Sequence, residues 1–217
     1  TDLSNTAVNP TSVTITASEI GIMTTLTDLA RNSSSRNIAA DIGKLFGEAI
    51  AKKMDQDLTA LFDGFSSSIG GTGQELTVDK IFQAVATLRQ ANVPGPYYGV
   101  LNPKVAYNVK KNLTNTFVNP NPNDLTNEAL RTGYIGNIAG VQIFESSNVD
   151  GTTDTDNCKG AIFSQDALGL AMMQDLKIET QRDASLRADE IVATAVFGVG
   201  ELHDSYGVEL LAESVIN

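Results

Sequence analysis

Hydrophobic positions along the chain change period several times, and each change marks an element. Ser12-Val-Thr-Ile-Thr16 alternates β-branched residues, so Val8–Thr16 predicts a strand. Ile20–Ala30 predicts a second extended segment, although Ile22, Leu26 and Leu29 also fit one helical face. After the cap-forming serines of Ser33–Ser35, apolar residues recur at spacings of three and four. They are Ile38, Ile42, Leu45, Phe46, Ala49, Ile50, Met54, Leu58, Leu61 and Phe62. That pattern predicts an amphipathic helix over Arg36–Asp63, about seven turns long at ~3.6 residues per turn. Its buried stripe is expected to be Ile38, Ile42, Leu45 and Ala49, with Glu48 and Lys52 forming an i,i+4 pair on the polar side. Asp63-Gly64 supplies the stop, since glycine suits the left-handed position after a helix.

The middle of the chain is more broken. Phe65–Gln74 reads as a Ser/Gly loop. Thr77 is placed to cap a second helix with the face Val78, Ile81, Phe82, Val85 and Leu88, ending before Pro94. Tyr97–Leu101 predicts a short strand, and Asn102-Pro103 a helix start with Asn as cap and Pro at the first position, running to about Asn112. Thr114–Asn127 is polar and contains Asn-Pro-Asn-Pro at 119–122, which predicts a long adaptable loop. Gly136–Gly140 leads into a strand over Val141–Glu145, and Asp150–Asn157 reads as a polar loop. The last third has Gly160–Ser164, an apolar run Leu168–Met173, an alternating strand Leu176–Arg182, a charged turn Asp183–Glu190, the apolar run Ile191–Val199 and a final strand Tyr206–Leu211.

Composition narrows the function classes. The chain has 217 residues, 15 basic against 26 acidic, and a net charge of −11. A basic nucleic-acid-binding face is therefore not expected, because neutralising phosphates needs clustered Lys and Arg. Lys104, Lys110 and Lys111 come nearest and read as a solvated helix face. No stretch approaches the ~18 unbroken apolar residues of a membrane helix, so no membrane partner is expected, and no secretory signal is visible. A single Cys, Cys158, rules out an intrachain disulfide and reads as a loop or edge-strand residue. The lone His203 rules out a multi-histidine metal site.

Four segments occur in an order that resembles the tailed-bacteriophage major capsid proteins of the HK97 (Johnson) fold. They are the long helix Arg36–Asp63, then Tyr97-Tyr-Gly-Val-Leu-Asn-Pro103, then Tyr134-Ile-Gly-Asn-Ile-Ala-Gly-Val-Gln-Ile-Phe-Glu-Ser146, and the closing strands from residue 160 onward. The resemblance implies an α+β chain with a "spine" helix, a peripheral domain carrying a long β-hairpin, and an axial α/β domain. The peripheral domain is expected at 1–74 and 166–203, and the axial domain at 75–165 and 204–217. The family's N-terminal arm and most of its extended loop would lie before Thr1. The resemblance further implies a non-enzymatic shell subunit that self-assembles as pentamers and hexamers around double-stranded DNA. Scaffolding, portal and decoration proteins are its implied partners. Assembly would take place in the bacterial host cytoplasm, and the product is a virion capsid. One branch of the family crosslinks its subunits through Lys–Asn bonds with a glutamate in the late strand. Ile191–Val199 holds no acidic residue, so crosslinking is not expected.

Candidate subunit contacts are the charged hairpin tip, Arg182, Asp183, Arg187, Asp189 and Glu190, and the loop residues Asn119, Asn121, Asn123 and Asp124. Arg182 and Arg187 are expected to pair with neighbouring subunits. Other chemistry is thin. Gly71-Thr-Gly73 and Gly198-Val-Gly200 lack the third glycine of a dinucleotide fingerprint and read as tight turns. Asp150, Asp154, Asp156 and Asn157 offer oxygen ligands without calcium-loop spacing. No cofactor is implied. Two rival readings remain: an encapsulin-type compartment of the same fold, and a small hydrolase built on His203-Asp204-Ser205, whose adjacent residues do not reach triad geometry.

Overall fold

Two sheets share the chain, and each is covered by helices chosen by the spacing of its apolar residues. The computed structural model describes residues 12–33, 38–116, 136–149 and 157–213. The smaller sheet has three antiparallel strands, β1 (Ser18–Thr27), β8 (Ala188–Glu201) and β7 (Leu168–Asp183), with β8 in the middle. The larger sheet is mixed and has the order β2-β9-β6-β3-β5-β4. Its strands are β2 (Ser68–Gly70), β3 (Tyr97–Leu101), β4 (Gly136–Ile138), β5 (Val141–Glu145), β6 (Asn157–Ser164) and β9 (Gly207–Glu213). The helices are α1 (Asp28–Ser33), α2 (Ile38–Ala60), α3 (Val78–Gln90) and α4 (Pro103–Thr116).

The spine helix forms where expected, but its phase differs. Phe46 and Ile50 are buried, with Ile38, Ile42 and Met54 packed beside them, against Leu26, Ile191, Ala193 and Ala195. Leu45, expected in the stripe, is 61% exposed, and Ala49 is exposed as well. The inward face is the i,i+4 row from Ile38 through Ile42, Phe46 and Ile50, and Leu45 and Ala49 are turned one position off it. β7 runs beside the helix flank: a Cβ on Gly43 would lie 3.9 Å from Ile178 and one on Gly47 3.8 Å from Leu176, ordinary contact distances that either position would accommodate. The expected Glu48–Lys52 pair is replaced by Lys44–Glu48 at 3.8 Å and Lys53–Asp57 at 2.6 Å. The helix tightens into a 3-10 turn at Leu61–Gly64.

Several shorter expectations need correction. Of Val8–Thr16, residues 8–11 lie outside the described residues, and 12–17 form no strand. Ile20–Thr27 is extended as expected, but 28–30 are helical. Residues 68–70, read as loop on the peripheral side of a boundary at 74, form β2 and pair in parallel with β9 in the larger sheet. Thr77 precedes α3 without a side-chain cap bond, and Phe82 is 54% exposed while Ile81, Ala84, Val85 and Leu88 are buried. Asn102 does cap α4, its side-chain oxygen accepting from the Lys104 N–H at 3.0 Å. Cys158 sits in the core on β6, which has β3 and β9 on either side, so it is not an edge residue. Gly198 and Gly200 are not a turn but strand positions, where added side chains would run into Thr16 and Ile15. Gly71 and Gly73 do form a turn, closed by the Gln74 N–H on the Gly71 carbonyl at 3.2 Å.

The chain passes between the sheets three times, at 61–67, 165–167 and 202–206, and these crossings share one small core. Phe62, Phe65, Val149, Ala161 and Ala167 are buried there, and Phe62 lies 6.3 Å from Phe65 and 5.5 Å from Phe163, ring centre to ring centre.

Two outcomes are expected on unfolding in denaturant. Phe46→Ala should cost about 3–5 kcal/mol and Leu45→Ala well under about 1 kcal/mol, so equal losses would show the wrong helix phase. Gly207→Ala should abolish cooperative folding or sharply lower the midpoint, because its Cβ would lie 2.2 Å from the buried Phe65 ring. A midpoint like that of the parent would show that this ring moves freely.

Candidate assembly interface

The far end of the β7–β8 hairpin is organised by aspartates. Asp183 accepts from the Ser185 N–H at 2.8 Å, the Ser185 hydroxyl at 2.6 Å and the Leu186 N–H at 3.2 Å, which folds the turn back on itself. These bonds, first the one from the Ser185 hydroxyl, hold the Asp183 carboxyl below its ordinary range. Arg187 takes a left-handed φ of 48° and its carbonyl accepts from the Asp28 N–H at 3.0 Å.

Behind the turn lies a charge network between the hairpin and α1. Arg182 grips Asp28 with both guanidinium nitrogens, at 2.6 and 2.7 Å, and also reaches Asp189 at 3.3 Å. Arg31 donates to Asp189 as well. Asp28 is held below the ordinary carboxylate range, chiefly by the Arg182 bond, and Asp189 chiefly by the Arg31 bond. Arg182 is pushed up, first by Asp28 and then by Asp189. Arg182 therefore has a bidentate carboxylate partner within its own chain. The sequence hid this because Asp28 and Arg182 are 154 positions apart. Arg187 has no ion-pair partner among the described residues, and Glu190 is half-buried opposite Thr25 and Gln181. Asn119, Asn121, Asn123 and Asp124 lie outside the described residues, as do Asp150, Asp154 and Asp156.

Among the described residues β7 carries a run of exposed apolar side chains that its sequence pattern alone did not reveal. Leu170, Met172, Met173, Leu176 and Ile178 are all exposed, Met173 at 81%. Strand register shifts between Met172 and Gln174 and again between Gln174 and Lys177, so both apolar and polar side chains reach solvent along it. β7 and β1 are the two edges of the small sheet and carry unpaired backbone donors and acceptors. The one visible signal was Leu168–Met173, an apolar run without the polar alternation of a half-buried strand.

The other sequence candidates are dispersed. Asp204 accepts from the Ser66 N–H at 2.6 Å and His203 stacks on Tyr206 at 4.6 Å, so these side chains are committed to separate local contacts. Lys110 pairs with Glu145, and Lys111 lies 3.5 Å from Glu75. Burial raises the Cys158 thiol above its ordinary range, which keeps it protonated and unreactive. No described helix is long and apolar enough to cross a membrane.

The family model described as phage capsid protein matches residues 10–208. No curated protein sequence matches the chain. Among solved structures, one from Mycobacterium phage Che8 is 23% identical with a TM-score of 0.73, covering 89% of this chain and 70% of that one. The capsid of cyanophage P-SCSP1u is 18% identical with a TM-score of 0.71, over 96% and 80% of the two chains. The SrpI encapsulin complex of Synechococcus elongatus PCC 7942 is 11% identical with a TM-score of 0.71, over 93% and 75%.

The charge network gives a pH dependence with a definite sign. Asp28 and Asp189 are held low, so their contribution is present above the ordinary carboxylate range and is lost as pH falls through their depressed values. NMR titration of the Asp28 carboxyl should show a low midpoint that rises towards the ordinary value in Arg182→Gln. An unchanged Asp28 midpoint in that variant would remove the pairing.

Proposed function

The chain belongs to the phage capsid protein family and has an HK97-like fold, and from that premise we propose how its surfaces build a shell. The subunit is a structural shell component, and its copies associate through the surfaces described above. The single observation that carries this reading is the family match, which runs through both sheets and the spine helix. Physical chemistry supports it. An edge strand with five exposed large apolar residues is a liability in a solitary protein and an asset in one completed by its neighbours.

In the proposed arrangement the three-stranded sheet, the spine helix and the hairpin form the peripheral part, and the six-stranded sheet with α3 and α4 forms the axial part. β2 goes with the axial sheet. Subunits assemble as pentamers and hexamers in an icosahedral head that encloses double-stranded DNA. Assembly takes place in the bacterial host cytoplasm, with scaffolding, portal and decoration proteins as candidate partners. The subunit performs no catalysis. Its net charge of −11 suits a wall that holds a genome without gripping it. At the hairpin tip the proposed intersubunit contacts centre on Arg187 and Glu190, because Arg182, Asp183 and Asp189 are engaged within the chain. Asn119, Asn121, Asn123 and Asp124 are proposed to lie towards the capsomer axis.

The encapsulin reading shares the fold, so particle contents decide between the two. Electron microscopy of the purified full-length protein should show closed shells of uniform size, and particles from infected cells should contain DNA and not protein cargo. Only monomers or small rings, under conditions that preserve folding, would overturn the reading. Arg187→Glu should keep the parent's thermal midpoint and impair shell formation. Normal shells from that variant would remove the proposed contact.

A further inference from the structure

The spine helix meets the six-stranded sheet at a second place, upstream of the aromatic joint. β5 ends at Glu145, and the residues that follow it, 146–149, build a shape of their own. The Ser146 N–H donates to the Leu101 carbonyl at 3.1 Å, the Asn148 N–H to the Ser146 hydroxyl at 3.2 Å, and Asn102 Nδ2 to the Val149 carbonyl at 3.1 Å. Asn102 also caps α4, so this loop is bonded to the corner between β3 and α4 and moves with the larger sheet.

Two side chains of α2 reach the loop. Asp55 Oδ2 accepts from Asn148 Nδ2 at 2.6 Å and from the Ser146 hydroxyl at 3.2 Å. One turn on, the Thr59 hydroxyl lies 3.2 Å from the Asn148 carbonyl oxygen and 3.1 Å from the Gln56 carbonyl oxygen of its own helix. A hydroxyl has one proton to donate, so Thr59 is satisfied within α2 even when the loop is away. Ser146 and Asn148 keep their backbone bonds without the helix. The contact therefore joins two pieces that are each complete, and Asp55 is the group that holds them. The lysine pairs of α2 go elsewhere, Lys44 to Glu48 and Lys53 to Asp57, and Asp55 makes no ion pair among the described residues. Its half-buried carboxylate is committed to the loop.

We propose that Asp55 is a positioning residue, a clasp that sets the angle between the spine helix and the six-stranded sheet. The reason is leverage. The pivot is the aromatic joint, where Phe62 and Val149 are both buried. Asp55 stands about two turns before Phe62, at ~3.6 residues per turn. A tilt of the helix about the joint carries Asp55 off the loop while Val149 stays in place. The Asp63–Lys159 pair sits at the pivot and resists tilt little. The rest of α2 packs on the three-stranded sheet, which moves with it. With the clasp closed the angle is held at two points, and with it open at one. For assembly the consequence rests on the shell reading above: copies close into shells of one size only when each holds the same angle.

Distances between paired spin labels test the clasp in full-length subunits kept dissociated. The labels go on Lys44→Cys of α2 and Gln83→Cys of α3, both exposed positions, and the buried Cys158 stays unlabelled. The parent should give one narrow distance. Asp55→Ala and Asn148→Ala should each lose it for a broad or displaced distribution. Asp55→Asn, whose amide oxygen still accepts both bonds, should keep the parent's distance. Slow exchange at the core amides of Val105 and Val109 is the control for folding, and should Asp55→Ala fail it, Asn148→Ala makes the same test from the loop side. Electron microscopy reads the consequence: the alanine variants should lose uniform shell size and Asp55→Asn should retain it. A folded alanine variant with the parent's narrow distance overturns the clasp. Loosened subunits that build shells of the parent's uniform size overturn its role in assembly. A parent that builds no shells counts against the shell reading, and the label distances alone then decide the clasp.

Discussion

The structure depends on the packing of three chain crossings around Phe62, Phe65 and Phe163. Each crossing leaves a sheet and so gives up ladder hydrogen bonds, and its backbone groups find other partners. They find them in one another: Leu202 and His203 on Ala167, Glu209 on Ser67 at 2.8 Å, and Ser66 on Asp204. The aromatic rings fill the space between, and Gly207 contributes by having no side chain where the Phe65 ring lies. Because the last turn of the spine helix is part of this core, the helix direction is set relative to β6 and β9. The root of the hairpin is fixed by the same contacts.

Beyond that joint the three-stranded sheet packs on the spine helix. Ala193 and Ala195 present small side chains to Phe46 and Ile50, so one helix covers one face of a three-stranded sheet. At its root β7 meets Ile15 and Leu202 over Gly169, and from Leu170 to Ile178 its large apolar side chains are exposed. The salt bridges among Asp28, Arg31, Arg182 and Asp189 hold the far end to α1, but such exposed pairs contribute little to stability and are screened by salt. They fix the shape of the hairpin end.

Much of the fold was legible because periodicity is a strong signal over long elements. The spine helix, α3, α4, β3, β5 and the closing strands follow directly from it. What failed has identifiable causes. Ile42, Leu45, Phe46, Ala49 and Ile50 spread over more than one helical stripe, and only packing decides which faces in, so Leu45 was misplaced. Phe82 is apolar yet outward for the same reason. β2 is three residues long and hidden in a Ser/Gly stretch, and only its partner β9 makes it a strand. Phe65 read as loop because a joint has no period. Among site residues, the charged hairpin tip was visible but its wiring was not, since Asp28 and Arg31 come from the other end of the chain.

The central claim is that this chain is completed by its neighbours along β7 and not by a ligand in a site. Methionine footprinting tests it directly, because Met172 and Met173 lie in the middle of the exposed strand and oxidise according to their access to solvent. Peroxide oxidation should be fast at both residues in dissociated subunits and strongly suppressed in assembled shells, while buried core positions stay protected in both. Equal oxidation of Met172 and Met173 in subunits and shells would contradict the account.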